Sequence, residues 1–117
     1  MVKNMKEYYA VHKDKIKRIV SKSIRKRRKE IKIEIYRLLG NKCIRCGFSD
    51  VRALQIDHVH GGGNRKRKER KSDYLAYYRY ILKQIKLGSK DYQLLCANCN
   101  WIKRWENKEY YKKEILW

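Results

Sequence analysis

The amino-acid sequence predicts a small α+β domain with a long basic helical segment at its N-terminal end. Three observations predict this fold class. Apolar residues follow helical spacing through residues 1–39, two Cys-x-x-Cys pairs lie 49 residues apart, and two short alternating segments flank another helical pattern between those pairs. A chain of 117 residues fits one domain. Its core is small enough that a bound ion is expected to support it.

The first predicted element is a basic arm over residues 1–39. Its apolar residues recur at helical intervals, namely Ile16, Ile19, Val20, Ile24, Ile31, Ile35, Leu38 and Leu39. Gly40 is the predicted stop, because glycine adopts a left-handed conformation without steric cost. The arm forms either one bent helix or two helices, with a break at Ser21 and Ser23 in the second case.

Positive charge is concentrated in this arm, which carries 14 Lys and Arg against four acidic residues. The densest run is Arg25, Lys26, Arg27, Arg28 and Lys29. We predict that this run contacts phosphates along a duplex. A solvated helix face, or a tail ordered only by a partner, is the alternative.

The remaining elements are predicted by alternation, helical period and glycine stops. Short strands are expected over residues 53–58 and 92–95. A helix over about 74–87 is capped by Ser72 or Asp73 and ended by Gly88. Its predicted core face contains Leu75, Tyr78, Leu82 and Ile85. Another helix is expected over 97–105, within a domain that spans 40–108, and residues 109–117 form an aromatic tail or a further helix.

The basic loop over residues 61–71 is predicted to contact substrate beside the end of the first strand. Its cationic residues include Arg65, Lys66, Arg67 and Lys68. The whole chain has 32 Lys and Arg against 12 Asp and Glu, a net charge of +20. Such an excess attracts polyanions, and nucleic acid is the expected one. A membrane surface is disfavoured, since the chain has no long apolar run.

The four cysteines predict a structural zinc site. Cys43 and Cys46 form one pair, Cys96 and Cys99 the other. Two intervening residues let both sulfurs of a pair reach one ion at about 2.3 Å, and four sulfurs close the coordination shell. Gly47 suits the tight turn of a zinc knuckle. The first residues lack the apolar stretch of a secretory signal, so we expect an intracellular setting, cytoplasmic or nucleoid-associated. Iron on the same ligands and two disulfides in a secreted protein are the alternatives.

Residues suited to phosphodiester hydrolysis lie around the end of the first strand and the second cysteine pair. Histidine is the side chain that most readily accepts a proton near pH 7, and His58 directly follows Asp57. Asp57 and Asn100 carry hard oxygens, which suit a catalytic Mg²⁺ or Mn²⁺. Neighbouring strand residues point to opposite faces, so one side chain can hold the ion while the other approaches the phosphate.

These motifs resemble those of the HNH endonucleases, the ββα-metal or His-Me finger nucleases found in phages, mobile introns and restriction systems. The resemblance covers about residues 40–108: Asp57-His58 after a strand, the run from Leu94 to Asn100, and Lys103. It implies a zinc-stabilised, treble-clef-like core with an extra helix inserted between the strands. It also implies His58 as general base, Asp57 and Asn100 as ligands of one divalent ion, and His60 as a group that orients the phosphate.

Two residues depart from the pattern of that family. Asn100 stands at the final motif position, where the family usually has His, and the variant with Asn still resembles active members. Asp91 stands where the family has a central Asn that braces the loop bearing the histidine. An ionised Asp accepts hydrogen bonds but does not donate them. Lys103 and Arg104, next to the motif, are predicted as further contacts to nucleic acid.

Three functions are compatible with these residues. The first is a metal-dependent endonuclease acting on double-stranded or branched DNA, with a monomer or a homodimer both open and an origin in a phage or mobile element expected from the resemblance. The second is a non-catalytic zinc module that binds nucleic acid, and the third is a zinc protein associated with RNA. Only the first uses Asp57, His58 and Asn100 together.

Overall fold

The computed structural model describes residues 4–61 and 73–107. In chain order the elements are α1 (Met5–Leu38), a short 3-10 helix (Val51–Ala53), β1 (Leu54–His58), α2 (Tyr74–Lys86), β2 (Tyr92–Cys96) and α3 (Ala97–Glu106). Three α-helices and a two-stranded antiparallel sheet therefore make up the described residues. The predicted α+β class is confirmed at this level, with α2 between the two strands along the chain.

α1 is one helix with a kink near its start. Asn4 caps it, with Oδ1 accepting the Glu7 N–H at 2.9 Å. The kink lies at His12, which has φ −108° and ψ 17°. A break at Ser21 or Ser23 is therefore wrong: both serines lie on exposed helix, where the surrounding Lys and Arg are good helix formers. The helix ends before Gly40, whose φ of +95° is the left-handed conformation that was predicted.

The core lies where the end of α1 meets the sheet and α2. Its buried members are Ile35, Tyr36, Cys43, Leu54, Ile81, Tyr92, Leu94, Leu95 and Cys96. Because Ile35 and Tyr36 are among them, the last turns of α1 belong to the packed unit, while the basic run upstream is almost wholly exposed. The domain boundary at residue 39 stays a prediction.

The buried face of α2 is broader than its sequence pattern suggested. Tyr78, Leu82 and Ile85 pack against the core, as predicted, but the fully buried residue is Ile81, which was not predicted. The helix packs against α1, and its Tyr77 also contacts His58 of β1, so a wider apolar stripe is buried than one face alone would need. Asp73 is its N-cap, with Oδ1 accepting the Ala76 N–H at 3.1 Å.

The strand register brings the two halves of the sequence together. Leu54 pairs with Cys96, Asp57 with Gln93, and His58 with Tyr92. The pairing continues past the strand end, where the Val59 N–H donates to the Asp91 carbonyl at 2.9 Å. The segment after His58 is thus braced by the main chain of Asp91.

A buried hydrogen bond ties α1 to the start of β1, and its removal should lower stability measurably. The Tyr36 hydroxyl donates to the Leu54 carbonyl at 2.7 Å, and burial raises the pKa of Tyr36 to about 12, so this group stays a donor. We expect Tyr36→Phe to lower the free energy of unfolding by about 1 kcal/mol in urea titrations. Tyr9→Phe, on the exposed start of α1, is the matched control. Equal stability of the two variants would contradict this role.

None of the helices formed by residues 4–61 and 73–107 is both long and apolar enough to span a membrane.

Candidate metal centre and adjoining cavity

The four cysteines converge on one point. Their Sγ atoms all lie within 4.8 Å of one another, and Cys46 Sγ is 3.6 Å from Cys96 Sγ. Tetrahedral coordination by sulfur at about 2.3 Å places the sulfurs about 3.8 Å apart. Four thiolates at this spacing fit a structural metal ion such as zinc, and the thiols are not paired as disulfides.

The main chain builds a tight turn around the first cysteine pair. The Cys43 N–H donates to the Phe48 carbonyl at 2.8 Å, and the Gly47 N–H donates to the Cys43 carbonyl at 2.9 Å. Gly47 has φ +79°, which its lack of a Cβ permits. The Ile44 N–H donates to the Leu94 carbonyl at 3.0 Å, so the turn is fastened to β2 and hence to the second pair.

Backbone N–H groups favour the thiolate form of one cysteine in this cluster, Cys43. Burial opposes ionisation of Cys43, but N–H groups of Cys96, Cys46 and Arg45 donate to its sulfur and lower its pKa to about 6. The neighbouring Cys96 sulfur, together with burial, raises the pKa of Cys99 to about 12. A divalent cation relieves this conflict between neighbouring sulfurs, so metal binding should release protons.

A cavity of about 570 Å³ lies beside the sheet, and α3, the helix that carries Cys99, forms part of its wall. Asp57, His58 and Asn100 all line it. Its other lining residues are Lys32, Tyr36, Leu54, Gln55, Ile56, Gly61, Tyr74, Tyr77, Tyr78 and Arg104. β1 contributes the first two of the three predicted residues, and the first turn of α3, which begins directly after Cys96, contributes the third.

His58 lies at the end of β1 on the side that faces α2. It is 8% exposed, and its Nε2 lies 3.1 Å from the Tyr77 hydroxyl. The Tyr92 ring packs edge-on against the imidazole, with ring centroids 5.3 Å apart. These contacts fix the orientation of the imidazole ring at the cavity wall.

Asp57 faces α3, on the opposite side of β1. Its carboxylate accepts from Gln93 Nε2 at 2.9 Å and forms an ion pair with Lys103 Nζ at 3.0 Å. Asn100 lies on the same helix as Lys103 and donates its amide N–H to Gln55 Oε1. Asn100 Oδ1 and the Asp57 carboxylate are hard oxygen donors lining one cavity, which is the donor chemistry that Mg²⁺ and Mn²⁺ require.

The other predicted site residues that the structure describes near the cavity take different positions. His60 does not line the cavity; its exposed ring places Nε2 3.7 Å from Asp91 Oδ1. Lys103 is 4% exposed and lies beneath the site, whereas the sequence placed it at the nucleic-acid surface. Arg104 lines the cavity and stacks over Trp101, 5.1 Å from its centroid.

Of the predicted basic residues, the structure describes those of α1 and not those of the loop. Arg28 is the one member of the run from Arg25 to Lys29 that is partly buried, and its guanidinium lies 5.8 Å from the Tyr74 centroid. The others in that run are exposed. Arg65, Lys66, Arg67 and Lys68, and the predicted C-terminal tail over 109–117, lie outside the described residues.

Sequence reasoning missed three residues that position the site. Gln55 could have been predicted from the sequence, because it lies two residues before Asp57 and so shares its face of the strand. Gln93 depended on the strand register and Tyr77 on helix packing, neither of which a single sequence specifies. For these two residues no local signal exists.

Searches of protein-family models, curated proteins and solved structures found no match to this chain. The resemblance to HNH endonucleases therefore stays a prediction.

Proposed function

We propose that this protein is a metal-dependent endonuclease of the HNH type that binds DNA and hydrolyses phosphodiester bonds. The observation that carries the proposal is the common cavity of Asp57, His58 and Asn100, beside a four-cysteine cluster. An acid, an imidazole and an amide at one cavity of a highly basic chain form a set suited to phosphoryl chemistry.

The roles of the side chains follow from their contacts. His58 is the proposed general base, because an imidazole can accept a proton from the attacking water, and the Tyr77 hydroxyl 3.1 Å from its Nε2 helps to orient the ring. Asp57 and Asn100 would hold a divalent ion, which when bound supplies positive charge to the phosphate oxygens. Arg104 lines the same cavity and would attract the phosphodiester.

The exposed basic run of α1 is the proposed site of phosphate contact. Replacing Arg25, Lys26 and Arg27 by Gln should flatten the dependence of DNA affinity on salt, by about 0.9 in log–log slope for each phosphate that the variant no longer neutralises. Fluorescence anisotropy with a labelled duplex at several salt concentrations measures this slope. The control variant has Gln in place of Lys13, Lys15 and Lys17, which removes the same charge from the same helix. An unchanged slope in the first variant would remove the run from the interface.

A second candidate function is a zinc-containing protein that binds nucleic acid without cutting it. The observation that favours it is the pairing of the Asp57 carboxylate with Lys103 and Gln93, which already balances the charge of this acid within the protein. On this account the cavity is a structural feature of a binding module.

Nicking of supercoiled plasmid separates the two candidates. The zinc-loaded full chain with Mg²⁺ or Mn²⁺ should convert plasmid to the open-circular form, and a chelator too weak to strip zinc should stop the reaction. Asn100→Ala should reduce nicking while DNA affinity is retained. DNA binding without any nicking, in either metal, would reject the endonuclease and support the binding module.

A further inference from the structure

Lys103 is a buried cation placed against the proposed divalent-ion site. Its side chain is 5% exposed, and that of Asp57 is 11% exposed. The ammonium donates to the His58 carbonyl at 2.8 Å and contacts both oxygens of Asp57, at 3.0 and 3.3 Å. A lysine is rarely buried unless its charge is paired, so this arrangement binds α3 to the functional end of β1.

The two oxygens of Asp57 are not equivalent. Oδ2 accepts from Gln93 Nε2 at 2.9 Å and also contacts Lys103 at 3.0 Å. Oδ1 has the Lys103 contact at 3.3 Å and lacks the Gln93 bond. Since a carboxylate has about four lone-pair positions, Oδ1 keeps acceptor capacity for an ion. Asp57 would thus serve as a ligand through Oδ1, which it shares with the Lys103 ammonium, while Gln93 and Lys103 both contact Oδ2.

The local charge balance opposes a free divalent cation. Among the described residues that line the cavity, Asp57 is the one carboxylate, and Lys32 and Arg104 line it as well. Lys103 neutralises Asp57 from behind. The site therefore carries a positive excess, and a doubly charged ion is repelled at short range until an anion is added.

We propose that Lys103 makes divalent-ion binding at Asp57 depend on DNA. Because Lys103 neutralises the Asp57 carboxylate, the phosphodiester has to supply the negative charge that the ion needs. This inference rests on the proposed function, because it concerns the same ion site. Linkage requires that the ion strengthen DNA binding by the same factor by which DNA strengthens ion binding. Free protein would then leave the site without its ion at ordinary metal concentrations, and the site would assemble on the substrate.

Electron paramagnetic resonance of free Mn²⁺ tests the proposal without measuring catalysis. The zinc-loaded full chain is titrated with Mn²⁺, with and without a short phosphorothioate duplex. Asp57→Asn is titrated in parallel, so that ions bound by DNA or elsewhere are subtracted. We expect Asp57-dependent affinity to be at least about tenfold tighter with DNA, within the usual range of coupling between sites.

Replacing Lys103 by an uncharged residue should make Mn²⁺ binding less dependent on DNA. In Lys103→Met, which keeps most of the apolar stem, Mn²⁺ should bind without DNA at least about tenfold more tightly than in the unaltered protein, and coupling to DNA should fall correspondingly. Lys83→Met removes the same charge from the exposed side of α2 and should leave Mn²⁺ affinity unchanged. If Lys103→Met does not fold, Lys103→Gln replaces it, and the titration of the unaltered protein still decides whether DNA is required.

Two outcomes overturn the proposal in distinguishable ways. Tight, Asp57-dependent Mn²⁺ binding to the unaltered protein without DNA would reject the role of Lys103 and leave the endonuclease intact. Absence of any Asp57-dependent binding, with DNA present, would reject the ion site itself and with it the proposed function.

Discussion

Replacing His58 by alanine is expected to slow plasmid nicking by about 10² to 10⁴-fold, the usual contribution of a positioned general base. DNA affinity should stay within a factor of about three, since phosphate contacts by Lys and Arg supply most non-specific affinity. The physical reason is that no other described residue lining the cavity is a histidine. Initial rates at saturating protein measure the effect.

The control for this variant must address folding, because His58 is buried and packs against Tyr92. Zinc content and the near-ultraviolet circular dichroism of His58→Ala should match those of the unaltered protein. His12→Ala, at the kink of α1, removes a histidine far along the chain from the cavity and should nick normally. Full activity of a correctly folded His58→Ala protein would exclude His58 as the base.

Removal of the cysteine-bound metal is expected to abolish cooperative unfolding of the domain. Structural zinc contributes roughly 10–16 kcal/mol in small zinc domains at pH 7. The net stability of a whole domain is only about 5–15 kcal/mol. Cys43 and Cys96 are themselves core residues, so loss of the ion removes the cross-link that holds two distant parts of the core together. Cys96→Ser, or complete chelation, should therefore remove the thermal transition followed by tryptophan fluorescence.

A matched control distinguishes loss of the metal from disturbance of the turn. Ile44 lies between Cys43 and Cys46 but is 68% exposed. The Ile44→Ser variant should therefore keep both its zinc and its thermal unfolding transition. Readdition of Zn²⁺ should restore the chelated protein, whereas Mg²⁺ should not. A cooperative transition that persists unchanged after all zinc is gone would show that the core needs no metal.

The elements of this fold were largely predictable because local signals mark them. β1, α2, β2 and α3 lie within about one residue of their predicted bounds, since alternation, helical period, an Asp cap and left-handed glycines operate over short stretches. The cysteine cluster was predictable as well, because two short pairs need only one ion to bring them together. The kink at His12 has no such signal, and nothing in the structure explains it.

The residue types of the candidate site could be predicted from the sequence, but the contacts that hold these residues in place could not. Asp57, His58 and Asn100 were identified by chemistry, yet the contacts that hold them are long-range. Lys103 shows the difference: a lysine at the end of a polar helix is expected in solvent, and only the packing of α3 against β1 places its ammonium at Asp57. Asp91 likewise braces the segment after His58 through its main-chain carbonyl, so that contact does not depend on the side chain.

A crystal structure of the zinc-loaded protein with Mn²⁺ and an uncleavable duplex tests the central claim most directly. Anomalous scattering should locate zinc among the four cysteine sulfurs and a separate Mn²⁺ coordinated by Asp57 Oδ1, Asn100 Oδ1 and a phosphate oxygen, with His58 at the cavity wall beside the phosphorus. Mn²⁺ absent from that cavity, with the duplex bound elsewhere on the protein, would contradict it.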